Sequence, residues 1–274
     1  MKQICISFLA MMFGVLFLCN QSVAGSFAGN VLDYGKDPPN NGLSGAIVQL
    51  KPTGSRKAKE CITNYSGAFS MDAEDGDYSL IVVKVGYIPH PYERRISLKG
   101  RMAFEDIRLI KANADPNYYA MVATFIANKV KSVPWNNKKQ VIESEWNYLS
   151  GINPPPAAKV FVAKELNAEA KNLGTAMPDF KPYLSVTPQN VYKLENLFDK
   201  AITARSGIPN KNFVQNMGLN DQIVVDIVSY KLEGNSYTSG DRAVFQHKFI
   251  TEWSDTIKKS PDVWSKVVNF DKVE

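Results

Sequence analysis

GAIVQLKPTGSRKAKECITNYSGAFSMDAEDGDYSLIVVKVGY, residues 45–87, decides how the first part of this chain folds. Apolar side chains fall on every second position in its runs: Ala46, Val48 and Leu50, then Phe69 and Met71, then Tyr78, Leu80 and Val82. Successive side chains of a strand point to opposite faces, so each of these sets lines one face of a sheet. Gly and Asp stand between the runs, where the backbone must turn.

Working outward, the same alternation gives seven strands, near 26–33, 46–51, 58–63, 68–72, 77–85, 94–98 and 102–110. Spacings close to ten residues with turn signals between them are those of an antiparallel β-sandwich, in which each strand crosses the core once and returns. Phe27 and Val31 join the inward set. The strand at 77–85 is apolar on its second face as well, through Ile81, Val83 and Val85, and is expected to bury both faces.

Five pieces recur in a fixed order: Gly29, Val31 and Asp33; Gly45, Ala46, Val48 and Leu50; Thr63, Gly67 and Phe69; Gly76, Tyr78, Leu80 and Val82; and Gly86 with Tyr87. Together they resemble the carboxypeptidase regulatory-like domain, a transthyretin-like β-sandwich with a carbohydrate-binding-like fold, over about a third of the chain. The loop at 36–43, with Pro38 and Pro39, is longer than that pattern has. The resemblance implies an accessory module without catalytic residues of its own, with a glycan as the ligand class; another envelope protein is the second partner expected of the chain.

The first 24 residues read as a signal peptide. Lys2 opens them, residues 4–18 carry no charge, and Ser22-Val23-Ala24 offers the small side chains that a signal peptidase accepts before Gly25. A periplasmic or secreted protein is expected, touching the membrane only through this segment before cleavage. Cys5 and Cys19 leave with it, so Cys61 is the one cysteine of the mature chain and forms no intramolecular disulfide. The net charge of +5, from 32 basic and 27 acidic residues, is spread thinly, which argues against a nucleic-acid partner.

After Lys111 the apolar period changes from two to that of a helix. Asp115-Pro116 is an N-cap with proline at the first helical position, and Tyr118, Val122, Phe125, Ile126 and Val130 follow at helical spacing. Further helices are expected at 136–149, 157–173, 188–206, 210–217, 221–230, 241–258 and 261–268, while 175–185, with Pro178 and Pro182, reads as loop. The expected architecture is therefore α+β and multidomain: a signal peptide at 1–24, a seven-strand antiparallel sandwich at 25–111, and an all-α domain at 112–274.

No motif commits the chain to a reaction. Glu143 and Glu145 flank Ser144 beside Trp146, but residues two apart on a helix diverge by about 200° and do not converge on one bond. Ser239, Asp241, His247 and Glu252 lack a nucleophile elbow, and His90 in GYIPHP reads as a loop residue. With one mature cysteine and two distant histidines, neither a metal nor a cofactor is expected. Trp253 and Trp264 fit apolar stripes. Trp135, Trp146 and Tyr148, beside Asn and Gly, are the candidate ligand-binding residues, since exposed aromatics stack on sugar rings. The resulting reading is an exported, non-catalytic binding or envelope-structural protein. The alternative is an exported hydrolase with its active site in the helical half and the sandwich as accessory module.

Overall fold

A computed structural model describes residues 24–267 apart from 37, 39, 55–56, 100–101, 113 and 234–237. The expected signal segment, but for Ala24, lies outside the described residues. The fold is α+β, with seven strands in two sheets followed by helices.

The strands are β1 (Ala24–Asp33), β2 (Ile47–Pro52), β3 (Lys59–Ile62), β4 (Ala68–Glu74), β5 (Gly76–Val83), β6 (His90–Leu98) and β7 (Met102–Leu109). One sheet has the order β4-β1-β7, the other β3-β2-β5-β6. The second is antiparallel throughout. The first is mixed, because β1 pairs with β4 antiparallel and with β7 parallel, Val31 facing Ile107. This corrects the all-antiparallel expectation: alternation reports which side chains are buried and carries no information on the direction of the neighbouring strand.

Each sheet buries one face. Phe27, Val31 and Ile107 are buried in the first, and Val48, Leu50, Leu80 and Val82 in the second. A buried Leu or Val contributes about 1.5–3 kcal/mol, so these rows account for much of the stability of this unit. Gly29 is required where β1 meets β7: a Cβ there would lie 1.8 Å from the Glu105 carbonyl oxygen. Only one face of β5 is buried to core depth, since Ile81 is half-buried and Val83 is 40% exposed. Phe104 on β7 is 65% exposed. His90 is buried at the start of β6, in register with Val82, and is no loop residue. Cys61, on β3, is half-buried; desolvation, and secondarily the charge of Glu60, pushes its thiol up from the usual range.

The helices are α1 (Pro116–Ser132), α2 (Trp135–Gly151), α3 (Pro156–Asn172), the short α4 (Lys181–Leu184), α5 (Pro188–Thr203), α6 (Lys211–Asn216), α7 (Asp221–Glu233), α8 (Ser239–Lys259) and α9 (Pro261–Trp264). Asp115 caps α1, its side chain accepting from the Tyr118 N–H at 3.0 Å. The stretch 175–185 is not all loop: a 3-10 turn, Pro178–Phe180, leads into α4, because proline is tolerated in a first turn whose N–H groups lack helical partners anyway. Phe245, Phe249 and Trp253 recur every fourth residue on α8 and pack as a ladder, Phe249 stacked at 5.3 Å on Trp253 and 5.5 Å from Trp264. Among the described residues no helix is long and apolar enough to cross a membrane.

The chain divides into two compact units. One holds the strands, up to Asp33 and then Pro39–Val85 and Pro89–Leu109; the other holds Tyr34–Pro38, Gly86–Ile88 and everything from Ile110 on. The boundary expected at 111 is thus close, but two short pieces from between the strands belong with the helices.

Candidate ligand groove of the helical unit

The three aromatic candidates lie on α2 and part company there. Trp135, the first helical residue, is 63% exposed, with Asn136 and Asn137 exposed beside it. Trp146 is 6% exposed, its ring edge-on to Phe180 at 5.0 Å and to Tyr183 at 5.4 Å. Eleven residues make three turns, so both tryptophans share one helical face about 16 Å apart along the axis, with Lys139 and Glu143 between them. Tyr148, about 200° from Trp146 on the same helix, packs instead against Tyr34, ring centres 6.1 Å apart. Tyr148 does not join the other two.

Two grooves open along this side of the unit. The first, about 320 Å³, is lined by Lys139, Glu143, Trp146 and Asn147 of α2 and by Asp179 of the 3-10 turn. The second, about 460 Å³, is lined by Asn167 and Lys171 of α3, Thr175, and Lys181 and Leu184 of α4. Ala176 and Met177 line both, forming a shared wall. Gly174 puts that wall in place: at φ +64° it ends α3 in a left-handed turn, and Thr175 N–H donates to the Ala170 carbonyl at 3.1 Å.

The strongly perturbed carboxyl group lies away from both grooves. Glu195 of α5, 4% exposed, accepts from the Ala157 N–H at 2.8 Å. It thereby caps α3, whose own N-cap residue, Pro155, supplies no side-chain bond. Desolvation by burial pushes Glu195 up to about 7, opposed by that hydrogen bond and by the charge of Lys231. Glu145, also buried, accepts from the Tyr34 hydroxyl and pairs with Lys129. Tyr183 donates to Asp226 Oδ2 at 2.9 Å, and burial, then the Asp226 charge, pushes its phenol above the usual range. These groups tie elements of the unit together and line neither groove. Glu143 and Glu145 diverge as expected: Glu143 is exposed and lies 3.9 Å from Lys139. His247 is exposed, and Asp241 bonds to Thr238 and Arg205. Among the described residues no three His, Cys, Asp or Glu side chains gather as metal ligands would.

Sequence reasoning missed the buried carboxylates, although a signal was present. Glu145 stands on the stripe of Ile142 and Leu149, and Glu195 on that of Val191, Leu194 and Phe198; a charge on an apolar stripe is a charge taken inside. It missed the grooves because 175–185 reads as loop and no periodicity places a loop.

No protein-family model matches the chain, and no curated protein matches it. Among solved structures, the Bacillus anthracis TIE protein aligns at 18% identity with a TM-score of 0.27, over 32% of this chain and 17% of that one. The chain thus spans about a sixth of that structure's length, and a likeness of this size carries no argument about fold or function.

Proposed function

We propose that the chain is an exported, non-catalytic binding protein, periplasmic or secreted, whose helical unit holds a glycan and whose strand unit is an accessory sandwich of the carboxypeptidase regulatory-like type. The sandwich reading is supported by two sheets that each bury one face. Export is supported by the charge and size pattern of residues 1–24. Mass spectrometry of the native protein tests it: a mature N-terminus at Gly25 is expected, and a retained Met1 overturns it.

One observation carries the glycan reading: Trp135 stands 63% exposed at the head of the helix whose same face leads to a groove edged by Trp146. An indole in water forgoes its burial energy, and its flat face matches the C–H face of a pyranose ring. Asn147, in the groove, supplies both a donor and an acceptor for sugar hydroxyls. Titration of intrinsic fluorescence with oligosaccharides should give a saturable change, weakened about tenfold or more by Trp135→Ala, as for an aromatic at the centre of a binding surface. Equal affinity in the variant contradicts the assignment. Cleavage of the added oligosaccharide would transfer the reading to the exported hydrolase, and capture of an envelope protein in place of any sugar would make the face a protein-binding surface.

A further inference from the structure

Several lysines of the helical unit face carboxylates. Lys129 pairs with Glu145, Lys131 with Glu169 at 3.6 Å, Lys139 with Glu143 at 3.9 Å, and Lys159 with Asp226 at 3.7 Å. Lys171 and Lys181 make no ion pair among the described residues, and both are exposed on the larger groove, about 460 Å³, whose lining includes no carboxylate. Lys171 lies in the last turn of α3, where a cation suits the helix dipole, so helix stability alone accounts for it. Lys181 stands in the four-residue α4 that runs on from the 3-10 turn, and in a helix of one turn the dipole does not decide its place. Asn167 and Thr175 beside them add hydrogen-bonding groups.

Resting on the glycan reading above, we propose that the larger groove holds the acidic part of the ligand. The ligand is then an anionic oligosaccharide, carrying carboxylate or phosphate groups, with an uncharged stretch lying toward Trp146 and Trp135 across the wall of Ala176 and Met177. Both grooves fall in or near the size range of small-ligand sites, about 300–1,000 Å³. Two exposed ammonium groups on flexible stems attract an anion without demanding one planar geometry, so they discriminate charge and not sugar identity. Their attraction is screened by salt.

The test is fluorescence titration of the full chain with three probes: tetragalacturonate, its uncharged methyl ester, and an oligomer of glycerol phosphate. At low ionic strength at least one acidic probe should bind about tenfold more tightly than the ester, as two exposed ion pairs allow. That preference should fall as salt is added and vanish in Lys171→Gln/Lys181→Gln, with the ester's affinity unchanged. Which acidic probe is preferred separates carboxylate from phosphate. Equal affinity for acidic and neutral probes, or a preference that survives the double substitution, overturns the proposal and leaves the glycan reading standing. Failure of all three probes to bind overturns both.

Discussion

Thr63 in the strand unit accepts from the Ala46 N–H at 2.8 Å and donates to the Leu43 carbonyl, partners 17 and 20 residues away in the chain. Glu195 in the helical unit accepts from the N–H of Ala157, in the first turn of a helix 38 residues earlier, and Glu145 meets Tyr34 across 111 residues. At Thr63 the first unit satisfies a buried hydroxyl with backbone, and it buries Asp33 and His90 as well. The second takes carboxylates inside and uses them as cross-links between helices. The difference follows from the elements themselves. A sheet pairs most of its backbone groups strand to strand, whereas a helix leaves its first N–H groups open, and a buried helix end needs an acceptor from elsewhere. Stability of the helical unit should therefore depend on the protonation of Glu195.

The largest effect that would break this comparison is at Glu195. Glu195→Ala leaves the buried Ala157 N–H without its acceptor and a cavity where the side chain packed, which together should cost about 2–4 kcal/mol in urea unfolding. A cost below about 1 kcal/mol would mean that the cap is incidental. A pH series sharpens the point. Folded Glu195 titrates at about 7 and the unfolded side chain near its ordinary 4.5, so the folded chain holds the extra proton between those values. Stability from this group is then full below about 4.5 and lost as pH rises through about 7, by about 3 kcal/mol in all. Glu195→Gln keeps an acceptor for Ala157 and should flatten that slope; a slope left unchanged in Glu195→Gln would assign it to another group.

Thr63→Val keeps the shape of the side chain and deletes both of its hydrogen bonds. It should cost about 1–3 kcal/mol, with no change in pH dependence. Smallest of all, Phe104→Ser on the exposed face of β7 should shift stability by less than about 0.5 kcal/mol, as expected for a surface position. A loss of several kcal/mol there would show that the face is covered in solution.

Much of this was legible in the sequence. Alternation placed all seven strands, and Asp115-Pro116 fixed the change to helix, because periodicity and capping are local properties of the chain. Trp253 and Trp264 were readable as core for the same reason, and both are buried. The parallel pairing of β1 with β7 was not legible, since it depends on which distant strand arrives alongside and alternation is silent on direction. Of the candidate site, Trp135 was placed by its neighbours Pro134, Asn136 and Asn137. Tyr148 was misplaced by adjacency in sequence: two residues from Trp146 on a helix is the opposite side. Lys171, Lys181 and Met177 come together only because Gly174 reverses the chain after α3, a tertiary consequence that no motif records.

The central claim, that ligand is held by the helical unit and that the strand unit is accessory, is tested most directly by amide hydrogen exchange on the full chain with and without saturating tetragalacturonate. Protection should rise at residues 135–147 and 174–184 and stay unchanged across β1 to β7. Protection confined to the strands, or to helices away from both grooves, would contradict it.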